Sequence, residues 1–227
     1  MKRVVFIIVA AVLAANSVQA QFTFGVRAGL NLTNFSLKIN EKKRDGDLGP
    51  KFKQGFQIGV VGELALSDNF AIQPGLLVAT QGCKYKYSSG TGSLKSEYKA
   101  TTNLNYLQIP INAQYKLDVG NMKLLLLAGP YFGFGLSGKA KWEAKYGSES
   151  DSGDEKAKFG KNRGEIKPLD FGLGLGAGLQ FGNIQAGLGY NLGFANLYNK
   201  FDDGVLPDNI TQKNYGLALT VTYLFGK

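Results

Sequence analysis

Four charged residues interrupt stretches of the chain that are otherwise almost free of charge: Arg27, Glu63, Lys116 and Asp170. Two of each sign can neutralise one another as buried ion pairs, or line a thin water path. Neither task breaks a covalent bond. The usual catalytic equipment is missing. With no histidine there is no histidine general base, no histidine metal ligand and no HExxH site. The single cysteine, Cys83, closes no internal disulfide and builds no thiolate metal cage; it reads as a small packed residue. A serine–lysine or carboxylate mechanism stays open in composition, but no serine stands beside a plausible base at the rim of an ordered strand. The run Gly172-Leu173-Gly174-Leu175-Gly176-Ala177 fits a loose dinucleotide-binding pattern. It lies inside a two-residue repeat with no helix after it, so the fit is accidental. The acidic group Glu149, Asp151, Asp154 and Glu155 lacks the spacing of a calcium loop and is expected as a solvated loop tip. The expectation is a protein that is no enzyme and carries neither cofactor nor metal.

The four charges are positioned by the alternation around them. Along 169–181 one face carries Leu169, Phe171, Leu173, Leu175, Ala177, Leu179 and Phe181, and the other Asp170, four glycines and Gln180. The period is two, not 3.6. The same rhythm runs through 22–30, 56–66, 70–80, 107–115, 124–136, 184–194 and 215–225, which predicts eight strands and no amphipathic helix. The sign of the alternation then matters. A soluble barrel would present Lys and Glu on its polar face. Here the polar face is Gly, Ala, Thr, Gln and Asn, small enough to crowd a narrow interior, and the other face is Leu, Phe, Tyr and Val. That is an inside-out protein with its apolar face toward lipid, and its strands must close because open edges find no partners in hydrocarbon. The 31 glycines are largely the inner wall.

Connections support closure across a membrane. Short turns at 67–69, 117–122 and 182–183 alternate with long charged connections at roughly 32–52, 83–103, 137–166 and 199–213. An even-stranded outer-membrane barrel has this pattern, with short periplasmic turns, long outer loops and both termini in the periplasm. Aromatic residues gather near strand ends: Phe22, Phe24, Phe70, Phe181, Tyr223 and Phe225 at one level, Tyr131, Phe132, Phe134, Tyr198 and Tyr215 at the other, as headgroup girdles do. Pro74, Pro110 and Pro130 fall inside strands, where a ladder loses a donor, and are expected at bulges or kinks. At the N-terminus, Lys2 and Arg3 precede an apolar run over 4–15 and a Val18-Gln19-Ala20 ending. This is a signal peptide, 1–20, cleaved after Ala20; the barrel domain is 21–227. The fold class is all-β, an eight-stranded antiparallel up-and-down transmembrane barrel. A soluble ligand-binding barrel is the rival.

By strand parity Arg27, Glu63, Lys116 and Asp170 all face the lumen, where unpaired charge is costly. Arg27 and Glu63 lie on neighbouring strands within reach of each other. They form either a salt-bridge gate or part of a rigid plug; eight strands leave a lumen just wide enough for side chains, which favours the plug. The outer connections carry Lys42, Lys43, Arg44, Lys84 and Lys86, which suit an anionic partner. Nucleic acid is a poor partner for an exported protein. Lipopolysaccharide in the facing leaflet is one such anionic partner, and a plainly solvated loop is an equal alternative. Trp142 and Tyr146 alternate with Lys141, Glu143 and Lys145, and Tyr85 and Tyr87 with Lys84 and Lys86, so both hairpins continue above the membrane and display a surface suited to a protein or glycan.

Three motifs carry a family resemblance. Tyr106-Leu107-Gln108-Ile109-Pro110-Ile111, followed by Tyr115-Lys116, resembles the "YL-[EQ]-IP" strand of PorT-like small outer-membrane β-barrel proteins. Gly25-Val26-Arg27-Ala28-Gly29-Leu30-Asn31-Leu32 resembles that family's first strand, and Ala128-Gly129-Pro130-Tyr131-Phe132-Gly133 its fifth. The resemblance covers about 22–227. It implies an outer-membrane barrel inserted by the barrel-assembly machinery, with some members linked to secretion across the outer membrane and no catalytic pattern. One departure is the ending, where Gly226 and Lys227 follow the aromatic Phe225. The function expected is structural or interaction-based, through basic and aromatic outer loops. The alternatives are an accessory of a secretion or assembly system and a narrow salt-bridge-gated pore.

Overall fold

A computed structural model describes residues 22–39, 42–43, 49–90, 95–147, 149–160, 162, 165–199 and 210–226. The predicted signal peptide and Arg44 lie outside the described residues. Ten strands and no helix are found among those described: β1 (Phe22–Ile39), β2 (Lys42–Lys43), β3 (Lys53–Ala65), β4 (Phe70–Ser89), β5 (Ser96–Val119), β6 (Met122–Tyr146), β7 (Glu149–Ala157), β8 (Leu169–Phe181), β9 (Ile184–Gly193) and β10 (Ile210–Leu224). Eight of them, all but β2 and β7, form a ring of antiparallel neighbours. The ring closes where β10 pairs with β1 from Gly25↔Leu224 to Ile39↔Ile210.

Period two decides what each face meets. Phe24, Leu30, Ile58, Leu188 and Leu219 are each more than half exposed on the outer wall. Gln57, Gln73, Gln108, Gln114, Gln180 and Gln185 are buried within the ring. An apolar belt outside and a polar interior is the arrangement hydrocarbon requires. Tyr131 departs from expectation. It is 2% exposed, on the inward parity of β6, so it belongs to the lumen and not to an aromatic girdle.

The prolines depart too. The β3–β4 ladder skips the steps beside Pro74 but resumes in the same register, from Val61↔Gly75 to Leu64↔Ile72. The β4–β5 ladder does so beside Pro110, between Pro74↔Ile111 and Leu77↔Gln108. The β5–β6 ladder does so beside Pro130, between Pro110↔Tyr131 and Ala113↔Ala128. A missing N–H removes a bond from one side of a strand without inserting a residue, so no bulge forms there. The register shift in β5–β6 lies elsewhere, at Asn105/Tyr106, where Asn105 faces Ser137 and Tyr106 faces Gly135, leaving Leu136 over. This bulge marks where the wall passes into an extension beyond the barrel.

The extension replaces most of two expected loops. β4 and β5 remain paired out to Ser89↔Ser96, β6 follows β5 to Tyr146, and β7 pairs back on β6 from Tyr146↔Glu149 to Gly138↔Ala157. The acidic group expected at a loop tip is therefore largely a strand. Ladder hydrogen bonds and cross-strand Tyr, Trp and Lys contacts carry these segments beyond the point where the apolar belt ends.

Candidate functional site

All four lumen charges are buried: Arg27 8%, Glu63 1%, Lys116 5% and Asp170 0% exposed. They do not share one place. Toward the short-turn end, Lys116 Nζ lies 2.6 Å from Glu63 Oε1. Gln185 Nε2 donates to Glu63 Oε2 at 2.8 Å and to Gln180 Oε1 at 3.1 Å. Gln73 Nε2 donates to Gln185 Oε1 at 3.0 Å and reaches Glu63 Oε2 at 3.4 Å. Arg27 joins by donating to Gln73 Oε1 and, from Nε, to Thr222 Oγ1 at 2.9 Å. Arg27 and Glu63, the neighbours expected to pair, are thus linked through Gln73, while Glu63 pairs with Lys116 two strands away. Such a latch is affordable in a low-dielectric interior because each charge faces a counter-charge or dipole, and Arg27 and Glu63 each make further hydrogen bonds.

Asp170 sits apart, toward the long-loop end. Asn214 Nδ2 donates to its Oδ2 at 2.9 Å, and the Tyr131 hydroxyl approaches the same oxygen at 3.4 Å. Above it Phe35, Cys83, Leu104 and Tyr106 form a buried apolar cluster, against which Tyr85, Ala157, Phe159 and Ile166 pack. Cys83 is the packed residue expected of it. Between latch and cap lies a cavity of about 90 Å³, bordered by Arg27, Leu77, Pro110, Leu125, Gly176 and Gly187.

The second site is the extension sheet, whose faces follow from its register. Tyr85 pairs with Ala100, and Ala100 with Trp142, which in turn faces Gly153. Tyr87 and Tyr98 share that side. It continues the lumen-facing parity of Cys83 and Leu104. Trp142 lies across Gly153, where an added Cβ would come within 2.9 Å of the indole. The opposite side continues the lipid-facing parity. It holds Lys84, Lys86, Lys99, Lys139, Lys141, Lys145 and Lys156 against Glu97, Glu143 and Asp154. Lys86 and Lys99 both approach Glu97 Oε1, at 3.2 and 3.5 Å, and Lys139 meets Asp154 at 2.8 Å. The hydrogen bond from Lys86 holds the Glu97 carboxyl below its usual range, and that from Lys139 does the same for Asp154.

Of the expected outer contacts, Lys84 and Lys86 are exposed on this lateral face. By register Trp142 is on the other face, although it also borders a concavity lined by Lys99, Lys141 and Lys145. Lys42 pairs with Ile39 and Lys43 with Lys38 at the top of β1. Sequence reasoning missed Gln73, Gln180, Gln185 and Thr222 in the latch and Tyr106, Tyr131 and Asn214 around Asp170. Their signal was available, since each is a polar or phenolic residue on the inward parity of its strand.

The family match agrees with this architecture. The chain matches the outer membrane protein beta-barrel domain family over residues 15–199 and belongs to it; it is an outer-membrane β-barrel protein. Among solved structures it is similar to Ail, the attachment invasion locus protein of Yersinia pestis, in complex with the heparin analogue sucrose octasulfate, at 16% identity over 90% of this chain and 99% of that one, TM-score 0.36. It is also similar to Neisserial surface protein A, at 13% identity over 88% and 96%, TM-score 0.37, and to an outer membrane channel from Pseudomonas putida F1, at 13% identity over 92% and 96%, TM-score 0.30. No curated protein matches the sequence.

Proposed function

We propose that this barrel is a closed anchor and that its work is done by the extension sheet: the lysine face binds phosphate groups of outer-leaflet lipopolysaccharide, and the aromatic face receives a protein or glycan. The carrying observation is the segregation of lysines and aromatics onto opposite faces of β4–β7, with the lysines on the face continuous with the lipid-facing wall. Side chains emerging there stand beside the headgroups, where flexible ammonium groups suit phosphate. Signal-peptide export, both termini in the periplasm and a non-enzymatic role complete the reading. The lumen acts as a plug, since a polar latch and an apolar cap obstruct its two ends.

The test is lipopolysaccharide binding by the purified barrel. Lys99→Glu with Lys141→Glu should weaken binding and flatten its dependence on salt, while Tyr87→Ala on the opposite face should leave it unchanged. Equal binding by the charge-reversed protein overturns the reading. The likeness of 106–111 to the PorT-like strand favours a second one, in which the aromatic face docks a component of a secretion system.

A further inference from the structure

The latch end of the lumen holds its one carboxylate against Lys116 and near Arg27, but the outer end has no such balance. Asp170 is fully buried, and no lysine or arginine among the described residues forms an ion pair with it. The nearby inward cation at the mouth, Lys53, is held on the Gln54 carbonyl at 2.9 Å. Oδ2 of Asp170 is served by Asn214 and Tyr131. Oδ1, the Tyr106 hydroxyl and Asn214 Oδ1, all three buried, make no hydrogen bond of good geometry, although the Asn214 side chain comes near the Tyr106 hydroxyl and the Phe171 N–H near the carboxylate. Tyr106 and Asp170 flank Gly133: a Cβ built there would stand 3.4 Å from both Tyr106 Cδ1 and Asp170 Cβ. Tyr131 and Asn214, the two partners of Oδ2, also border a small polar space together with Gln81, Gln108 and Asn191.

Native interiors leave few polar atoms unpaired, and such an atom calls for an explanation. Here three unpaired oxygens fall in one neighbourhood, one of them on a carboxylate. A proton on Asp170 would remove the charge but leave the Tyr106 hydroxyl and Asn214 Oδ1 without partners. A water would supply two hydrogens but leave the negative charge uncompensated in a low-dielectric wall. A cation answers both deficits. Carboxylate, phenol and amide oxygens are hard ligands, suited to alkali and alkaline-earth ions and not to soft metals. One carboxylate neutralises one positive charge, and a divalent ion would leave an excess. We propose that Asp170, Tyr106, Tyr131 and Asn214 form a binding site for a sodium-like monovalent cation that fastens β5, β6, β8 and β10 together beneath the outer cap.

The test is thermal unfolding of the full, folded barrel in detergent, followed by its heat-modifiable gel shift in sodium, calcium or choline chloride at matched ionic strength. Sodium is expected to raise the midpoint over choline in a saturable way, as a ligand of the native state does, and Asp170→Asn should abolish the difference. Equal midpoints in sodium and choline overturn the site, as does a sodium response retained by Asp170→Asn. A response to calcium without one to sodium overturns the monovalent assignment. Should Asp170→Asn fail to fold, Tyr106→Phe, which removes one oxygen and keeps the ring, should raise the sodium concentration needed for half the shift; an unchanged response overturns the proposal.

Discussion

Lys116 Nζ and Glu63 Oε1 meet at 2.6 Å although their strands, β5 and β3, are separated by β4. The concave inner wall of a narrow barrel brings next-nearest strands within side-chain reach, so this pair spans the Gln73 position of β4 and ties three strands together. Removing one partner leaves the other charged and buried, which costs about 3–5 kcal/mol. Glu63→Gln is therefore expected to lower the urea midpoint of the folded barrel sharply. Pairing it with Lys116→Met should recover much of the loss, because the orphaned ammonium is gone. A single substitution that leaves the midpoint unmoved would show that the latch is not structural.

The glycine wall makes a second, sharper prediction. At Gly129 an added Cβ would lie 1.9 Å from the Ile111 carbonyl oxygen and 2.8 Å from Asn112 Cα, both backbone atoms that have little freedom to move. At Gly189 the nearest atom is Leu175 O at 3.6 Å. Gly129→Ala should lose about 1–3 kcal/mol or more through overpacking, and Gly189→Ala should fold as the natural protein does. Refolding yields from urea into detergent compare the two directly. Equal yields would deny that close strand approach, and not mere composition, sets where glycine is needed.

Much of this fold was legible because a barrel's pattern is local. Alternation along 169–181 depends only on which neighbours are two residues apart, and β8 spans those same residues. The four lumen charges could be placed by the same parity. Their partners could not, since parity says which side a residue faces and nothing of its height or of the strand opposite. Hence the neighbour Arg27 was expected to serve Glu63, whereas Lys116 does so by height. Tyr131 was misread because aromatic residues near strand ends suggest a girdle, while its parity with Gly129 and Gly133 already pointed inward. The prolines misled for a related reason: a lost donor weakens a ladder but does not shift its register. The extension was only half legible. Tyr85 and Trp142 announced alternation above the membrane, yet their shared face became visible only once Ala100 was found between them.

The plug proposed for the lumen has an electrical consequence. The latch around Glu63 and the cap around Phe35, Cys83, Leu104 and Tyr106 stand on either side of a cavity of about 90 Å³, room for a few waters. Planar bilayer recordings of the natural protein should show no steady conductance steps. A stable current abolished by Glu63→Gln would sink the plug and restore the gated pore.

The lateral lysine face should answer to acid later than an ordinary surface. Lys86, through its hydrogen bond, holds Glu97 below its usual 4.5, and Lys139 does the same for Asp154 below 3.8. A carboxyl with a lowered pKa in the folded sheet lends stability that is fully present above its unfolded value and is lost as pH falls through the lower folded value. Between about pH 8 and about pH 5 both carboxylates therefore remain ionised, and association with anionic vesicles should be flat. Below that window protonation frees Lys86 and Lys139, and association should rise. Lys86→Ala removes the leading cause of the Glu97 shift, so the carboxyl resonance of Glu97, followed by NMR across the titration, should move to higher pH in that variant. An unchanged Glu97 titration would mean that the Lys86 contact at 3.2 Å does not hold the carboxylate.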